Sequence, residues 1–180
     1  MRLTEANANS EINAYLEKTN SLESALPQDD VLTYLTTIKR QPTGSGPYPK
    51  VSLFEAANRI MSDIIILLGV RQLLRDPAIG GIYLPFKEYE VALGVAGGHD
   101  VIAKSDGRRL IGEAFNVARD YFPTKKSREV KKLNSDKEAD YRLILFNSDA
   151  VSNPDHYVQI SEPSMLYLPV SVETALSPLF

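Results

Sequence analysis

The sequence contains no cysteine. Disulfides, thiolate metal sites and a cysteine nucleophile are therefore excluded, and the absence fits a reducing cytoplasm. Histidine is scarce too. His99 and His156 are the two present, and with no nucleophile elbow Ser-His chemistry has little support. Long apolar runs are missing. The longest, Ile64 to Val70, is broken by Gly69, whereas a bilayer-spanning helix needs about 20 residues. The opening segment MRLTEANANSEINAYLEK has no apolar h-region, so no signal peptide is expected. The glycine-rich GVAGGH lacks the G-x-x-x-x-G-K-[ST] pattern, which argues against nucleotide binding there. Strong net charge is also absent. The total of −3 is a weak argument against non-specific nucleic-acid binding by the whole surface.

What is present is ordinary in bulk: 180 residues, 43% hydrophobic and 24% charged, enough for one domain with a sizeable core. The charge is unevenly placed. Residues 101–137 hold ten Lys and Arg against five acids, a local +5 that leaves −8 for the rest. A solvated helix is the plain reading of such a run.

Helices are expected over 3–18 and 28–40. The connector QPTGSGPYPK follows, too rich in Pro and Gly for a helix or a central strand. Ser52 and Glu55 have capping-box spacing and open a helix to about Arg75, with Ile60, Ile64, Leu67 and Leu68 on an apolar stripe. Alternation predicts a strand over 86–94. Thr124 caps a basic helix through Leu133. RLILFN reads as a buried strand, SDAVSNPDHY as a loop, and 164–172 as a last strand that Pro169 assigns to an edge. The fold class is mixed α/β. Residues 1–50 form an N-terminal helical extension with its connector, and 51–180 the α/β domain.

The informative stretch is HDVIAKSDGRRLIGEAF, His99 to Phe115. Asp106-Gly107 between alternating apolar strands signals a two-residue hairpin. Its register sets Lys104 against Arg109, Ile102 against Ile111 and Asp100 against Glu113, on one face. Two acids directly opposed are unfavourable. A divalent cation such as Mg²⁺ would compensate them. Shared protonation, a nearby Arg, or an exposed pair without a role are the other readings. His99, one residue earlier, is expected on the opposite face. Glu88 and Glu90 share a solvent face, with a second metal site as the outside alternative.

A helix, a three-stranded meander, Asp100 opening the second strand and Glu113 in the third resemble the PD-(D/E)xK nuclease superfamily, the restriction-endonuclease-like fold with an α-β-β-β-α-β core. The resemblance covers roughly residues 52–147. It implies that Asp100 and Glu113 bind Mg²⁺ or Mn²⁺, and that Glu55 sits where many members place a further acid. For Glu55 the alternative is the capping box. The motif lysine is replaced by Phe115. Some members replace it with Gln or Glu and some supply a lysine from the following helix, for which Lys125 and Lys126 are the candidates here. The implied activity is metal-dependent hydrolysis of DNA in the cytoplasm, with DNA as partner, a homodimer allowed and no membrane. Phe115 supports the alternative, an inactive relative serving as a binding or assembly module.

Overall fold

The computed structural model describes residues 1–22, 30–94 and 97–173. Its centre is a six-stranded mixed sheet. The strands are β1 (Arg2–Thr4), β4 (Glu88–Val91), β5 (Val101–Ser105), β6 (Arg108–Phe115), β7 (Tyr141–Asn147) and β8 (Leu166–Val170), in that spatial order. The first four pair antiparallel, while β6–β7 and β7–β8 are parallel. A separate small hairpin, β2 (Ala78–Ile79) and β3 (Ile82–Tyr83), turns at Gly80-Gly81.

Among the described residues five α-helices accompany the sheet: α1 (Ala8–Asn20), α2 (Val31–Arg40), α3 (Leu53–Arg75), α4 (Phe122–Ser135) and α5 (Pro154–Gln159). Of these, α2 packs on α3. Period two divides each strand between two cores. Leu110 and Ala114 of β6 join Leu143 and Leu145 of β7 under α3 and α1. Ile111 and Phe115 alternate with them and join Ile144 and Phe146 under α4 and α5. The architecture is therefore three layers, helices on both faces of one sheet.

The Asp106-Gly107 turn is the predicted one. Both residues have positive φ, 48° and 74°, as a type I′ turn requires. The ladder runs Ser105–Arg108, Lys104–Arg109, Ala103–Leu110, Ile102–Ile111 and Val101–Gly112. β8 lies at the sheet edge with Pro169, also as expected.

The differences have local causes. Residues 2–4 form a strand rather than helix, because Leu3 buries itself opposite Tyr89. Asn7 then accepts from the Thr4 N–H and starts α1 late. Of the 28–40 helix, residues 28 and 29 lie outside the described ones. Asp30 caps the remainder by accepting from the Thr33 N–H. α4 begins two residues before Thr124, with Pro123 in its first turn, where the missing N–H does no harm. The expected loop SDAVSNPDHY contains α5, capped by Asn153 and begun by Pro154.

α3 differs in its faces. Instead of one apolar stripe, residues 63–71 are buried all round, because α1 covers the side turned away from the sheet. At Gly69 a Cβ would lie 2.7 Å from a Leu145 methyl, so the glycine permits the close approach of α3 to β7.

Candidate functional site

The antiparallel ladder between β5 and β6 ends at Val101–Gly112. Asp100 lies just outside the strand. Its backbone carbonyl still accepts from the Ala92 N–H, at 3.0 Å. Its side chain does what the next ladder rung would have done: Oδ2 accepts from the Ala114 N–H at 2.8 Å. That bond sets the half-buried Asp100 carboxylate beside β6, where Glu113 points to the α4 side of the sheet.

Glu113 is almost completely enclosed, with its side chain 4% exposed. Enclosed carboxylates need partners, and both of its oxygens have one. Lys132 donates to Oε2 at 2.6 Å. His99 Nδ1 lies 2.6 Å from Oε1. The other nitrogen of His99 is 3.4 Å from Asp136 Oδ2. Arg109 in turn bonds both oxygens of Asp136, at 2.9 and 2.8 Å, and holds that carboxyl below its ordinary range. His99 therefore does not face away from the acids. It precedes β5, outside any strand, so strand alternation does not govern it.

The lysine that reaches Glu113 is Lys132, which sequence reasoning missed. Lys125 lies in the same cleft. Its amine is 2.6 Å from Glu129 and 5.8 Å from the centre of the Phe115 ring. Lys126 does not enter: its amine sits over Tyr157, on the far side of the aromatic cluster. The signal was helical spacing. Residues 125, 129 and 132 follow i, i+4, i+7 and share one face, whereas 126 is turned about 100° from 125. Phe115 is a core residue, 1% exposed and packed on Phe122 and Phe146.

A cleft of about 760 Å³ lies between α3 and α4. Asp100, Glu113, Lys125 and Lys132 belong to it, and so does Glu55 from the start of α3. The Ser52 hydroxyl accepts from the Glu55 N–H at 3.3 Å, half of the expected capping box. The Glu55 carboxylate pairs with Arg59 at 2.5 Å instead of closing the other half. Glu88 and Glu90 lie elsewhere, exposed on β4 beside Arg2.

A further acid was not singled out from the sequence. Asp63, 2% exposed in the middle of α3, accepts from Tyr15 at 2.6 Å, from Tyr48 and from the Gly94 N–H at 3.1 Å. Burial raises its carboxyl despite those donors. It ties α1, the 41–50 connector and the link that follows β4 to one wall of the cleft. A lone acid inside an apolar helical run was the available signal.

The electrostatics single out Asp100. Burial raises its carboxyl to about 6, and the neighbouring charges of Glu113 and Glu129 add to the rise. The Ala114 N–H and Lys132 oppose it. Burial also acts on Glu129, but Lys125 and Arg128 outweigh it and hold that carboxyl low. A cation beside Asp100 and Glu113 would reverse the rise at Asp100.

The donor set suits a hard cation. Two carboxylates, with water and a phosphate completing the shell, are what Mg²⁺ commonly uses. No group of three or more His, Cys, Asp or Glu side chains among the described residues is placed to hold a metal by itself. Asp100 and Glu113 would be the protein's ligands.

Among the described residues no helix is long and apolar enough to cross a membrane. Comparison with family models, curated proteins and solved structures gives no match.

Proposed function

We propose that the chain is a metal-dependent hydrolase of phosphodiester bonds in DNA, of the PD-(D/E)xK type. The observation that carries the reading is the bond from Lys132 to Glu113, 2.6 Å, beside Asp100 in one cleft. It joins two acids and an amine although Phe115 fills the motif lysine's position. With the separate β2–β3 hairpin set aside, the order α3-β4-β5-β6-α4-β7 supports it, being the α-β-β-β-α-β order of that superfamily.

In this reading Asp100 and Glu113 hold Mg²⁺ or Mn²⁺. When bound, the metal would supply an acidified water and charge neutralisation at the phosphate. Lys132 replaces Lys125 and Lys126 as the displaced lysine. Its ammonium, held by Glu113, lies where it can orient the attacking water and offset negative charge on the phosphoryl oxygens. His99, braced by Asp136 and Arg109, holds Glu113 from the other side as a positioning residue. Lys125 remains in the cleft as a phosphate contact.

The test is plasmid nicking and oligonucleotide cleavage with Mg²⁺, Mn²⁺ or EDTA. Wild type should cut only with metal, and Asp100→Asn, Glu113→Gln and Lys132→Met should each abolish cutting. Cleavage unchanged in Lys132→Met would remove Lys132 from the mechanism. Absence of cleavage and of metal binding by calorimetry would leave the binding-module reading, which one observation favours: Glu113 is already satisfied by His99 and Lys132 without a metal.

A further inference from the structure

We infer that the cleft takes a single DNA strand, about one or two nucleotides of it between α3 and α4, and rejects an intact duplex. The inference rests on the hydrolase reading and adds the form of the substrate. Three observations carry it.

The first is depth. A phosphate must approach both Asp100 and Glu113 to share a metal with them, and the Glu113 side chain is 4% exposed at the cleft floor. The walls are α3 on one side and α4 on the other. The second is size. A volume of 760 Å³ lies within the roughly 300–1,000 Å³ of sites that enclose a small ligand. It accommodates a nucleotide or two. A duplex, whose grooves alone are roughly 6 and 12 Å wide, would rest on the rims and leave its phosphates above the floor.

The third is charge. Five acids and four cations line the cleft, for a formal −1. The cations are also engaged. Arg59 pairs with Glu55, Lys132 with Glu113, and both Lys125 and Arg128 with Glu129. Duplex DNA carries about one charge per 1.7 Å of axis, and a compensated cleft does not attract it over a long footprint. A short strand needs few contacts. Arg128, 72% exposed, and Arg59, 40% exposed, are the cations freest to swing from their acids to the flanking phosphates.

The experiment measures binding by fluorescence anisotropy, with Ca²⁺ as the metal, to a short end-labelled single strand and to the same strand as a blunt duplex. Cleavage of both with Mg²⁺ is followed in parallel. The single strand should bind about tenfold tighter. Two to four cation contacts should give a log–log salt slope of only about −1.4 to −2.8. The double variant Arg59→Ala/Arg128→Ala should weaken single-strand binding while its circular dichroism stays that of wild type. Duplex bound as tightly as single strand, or a salt slope steeper than about −4, overturns the inference. If that duplex is also cut with Mg²⁺, the hydrolase reading stands without it. Single-strand binding without cleavage under any metal keeps the strand preference and removes the hydrolase. Binding of neither form overturns the inference, and with no cleavage it overturns both.

Discussion

Asp100→Asn should make the metal-free protein more stable, by a margin that opens above about pH 4 and is complete a little above pH 6. The Asp100 carboxyl stands at about 6 in the folded chain against an ordinary 3.8. A raised carboxyl favours folding while it is protonated. That contribution is complete below pH 3.8 and is lost as the pH rises through 6. At about 1.36 kcal/mol per pH unit, the difference between 3.8 and about 6 amounts to about 3 kcal/mol. Asparagine is nearly isosteric, is never charged, and still accepts the Ala114 N–H. Below pH 4 variant and wild type should therefore have similar unfolding free energies. At pH 8 in EDTA the variant should be ahead by about 3 kcal/mol.

Urea unfolding at several pH values, in EDTA, measures both curves. Asp63 is also raised by burial, so wild type and variant share its pH dependence, and the difference between them isolates Asp100. Adding Mg²⁺ at pH 8 should stabilise wild type and leave Asp100→Asn nearly unchanged, since binding to the folded state alone is stabilising. The reasoning fails if the variant is less stable than wild type at pH 8, or if the gap does not change between pH 4 and pH 8.

Lys132→Met should destabilise by about 1.5 kcal/mol, the low end for a hydrogen bond to a charged group because the lysine is 41% exposed. Lys126→Met, which loses only the contact over Tyr157, should cost about 0.5–1 kcal/mol and leave DNA cleavage as in wild type. Equal effects on cleavage would overturn the assignment of Lys132. Ile64→Ala, at a site 7% exposed under α1, should lower stability by about 2–5 kcal/mol, and a melt like that of wild type would show the site collapses freely. Tyr48→Phe should cost about 1–2 kcal/mol by removing one donor to Asp63, and hydrogen exchange should rise at Gly94.

The elements that the sequence makes legible are those set by local chemistry. Asp106-Gly107 admits one tight turn, and the turn fixes five rungs of the ladder by arithmetic. Ser52 starts α3 and Asp76-Pro77 stops it. Pro169 leaves β8 at an edge. The first strand was not legible, because three residues gain their strand character only from β4, some 85 residues further on. α5 was hidden for a different reason: six residues begun by Asn-Pro carry the same residues as a turn.

The site shows the same division more sharply. Asp100 and Glu113 were found because register belongs to the hairpin. Lys132 and His99 were missed because each reaches Glu113 from outside the hairpin, one across the face of α4 and one from the link before β5, where alternation has lapsed. Those two partners also alter the energetics expected from sequence. Glu113 in isolation would be relieved by neutralisation, like Asp100. Held by an ammonium and an imidazole, it should instead lose stability on Glu113→Gln, by about 1.5–3 kcal/mol for the charged bonds forgone. The two acids should thus respond in opposite directions to nearly isosteric changes. Asp100 carries the less compensated charge and Glu113 the compensated one, so in the proposed hydrolase the attraction for a cation would originate at Asp100 and Glu113 would supply the fixed geometry.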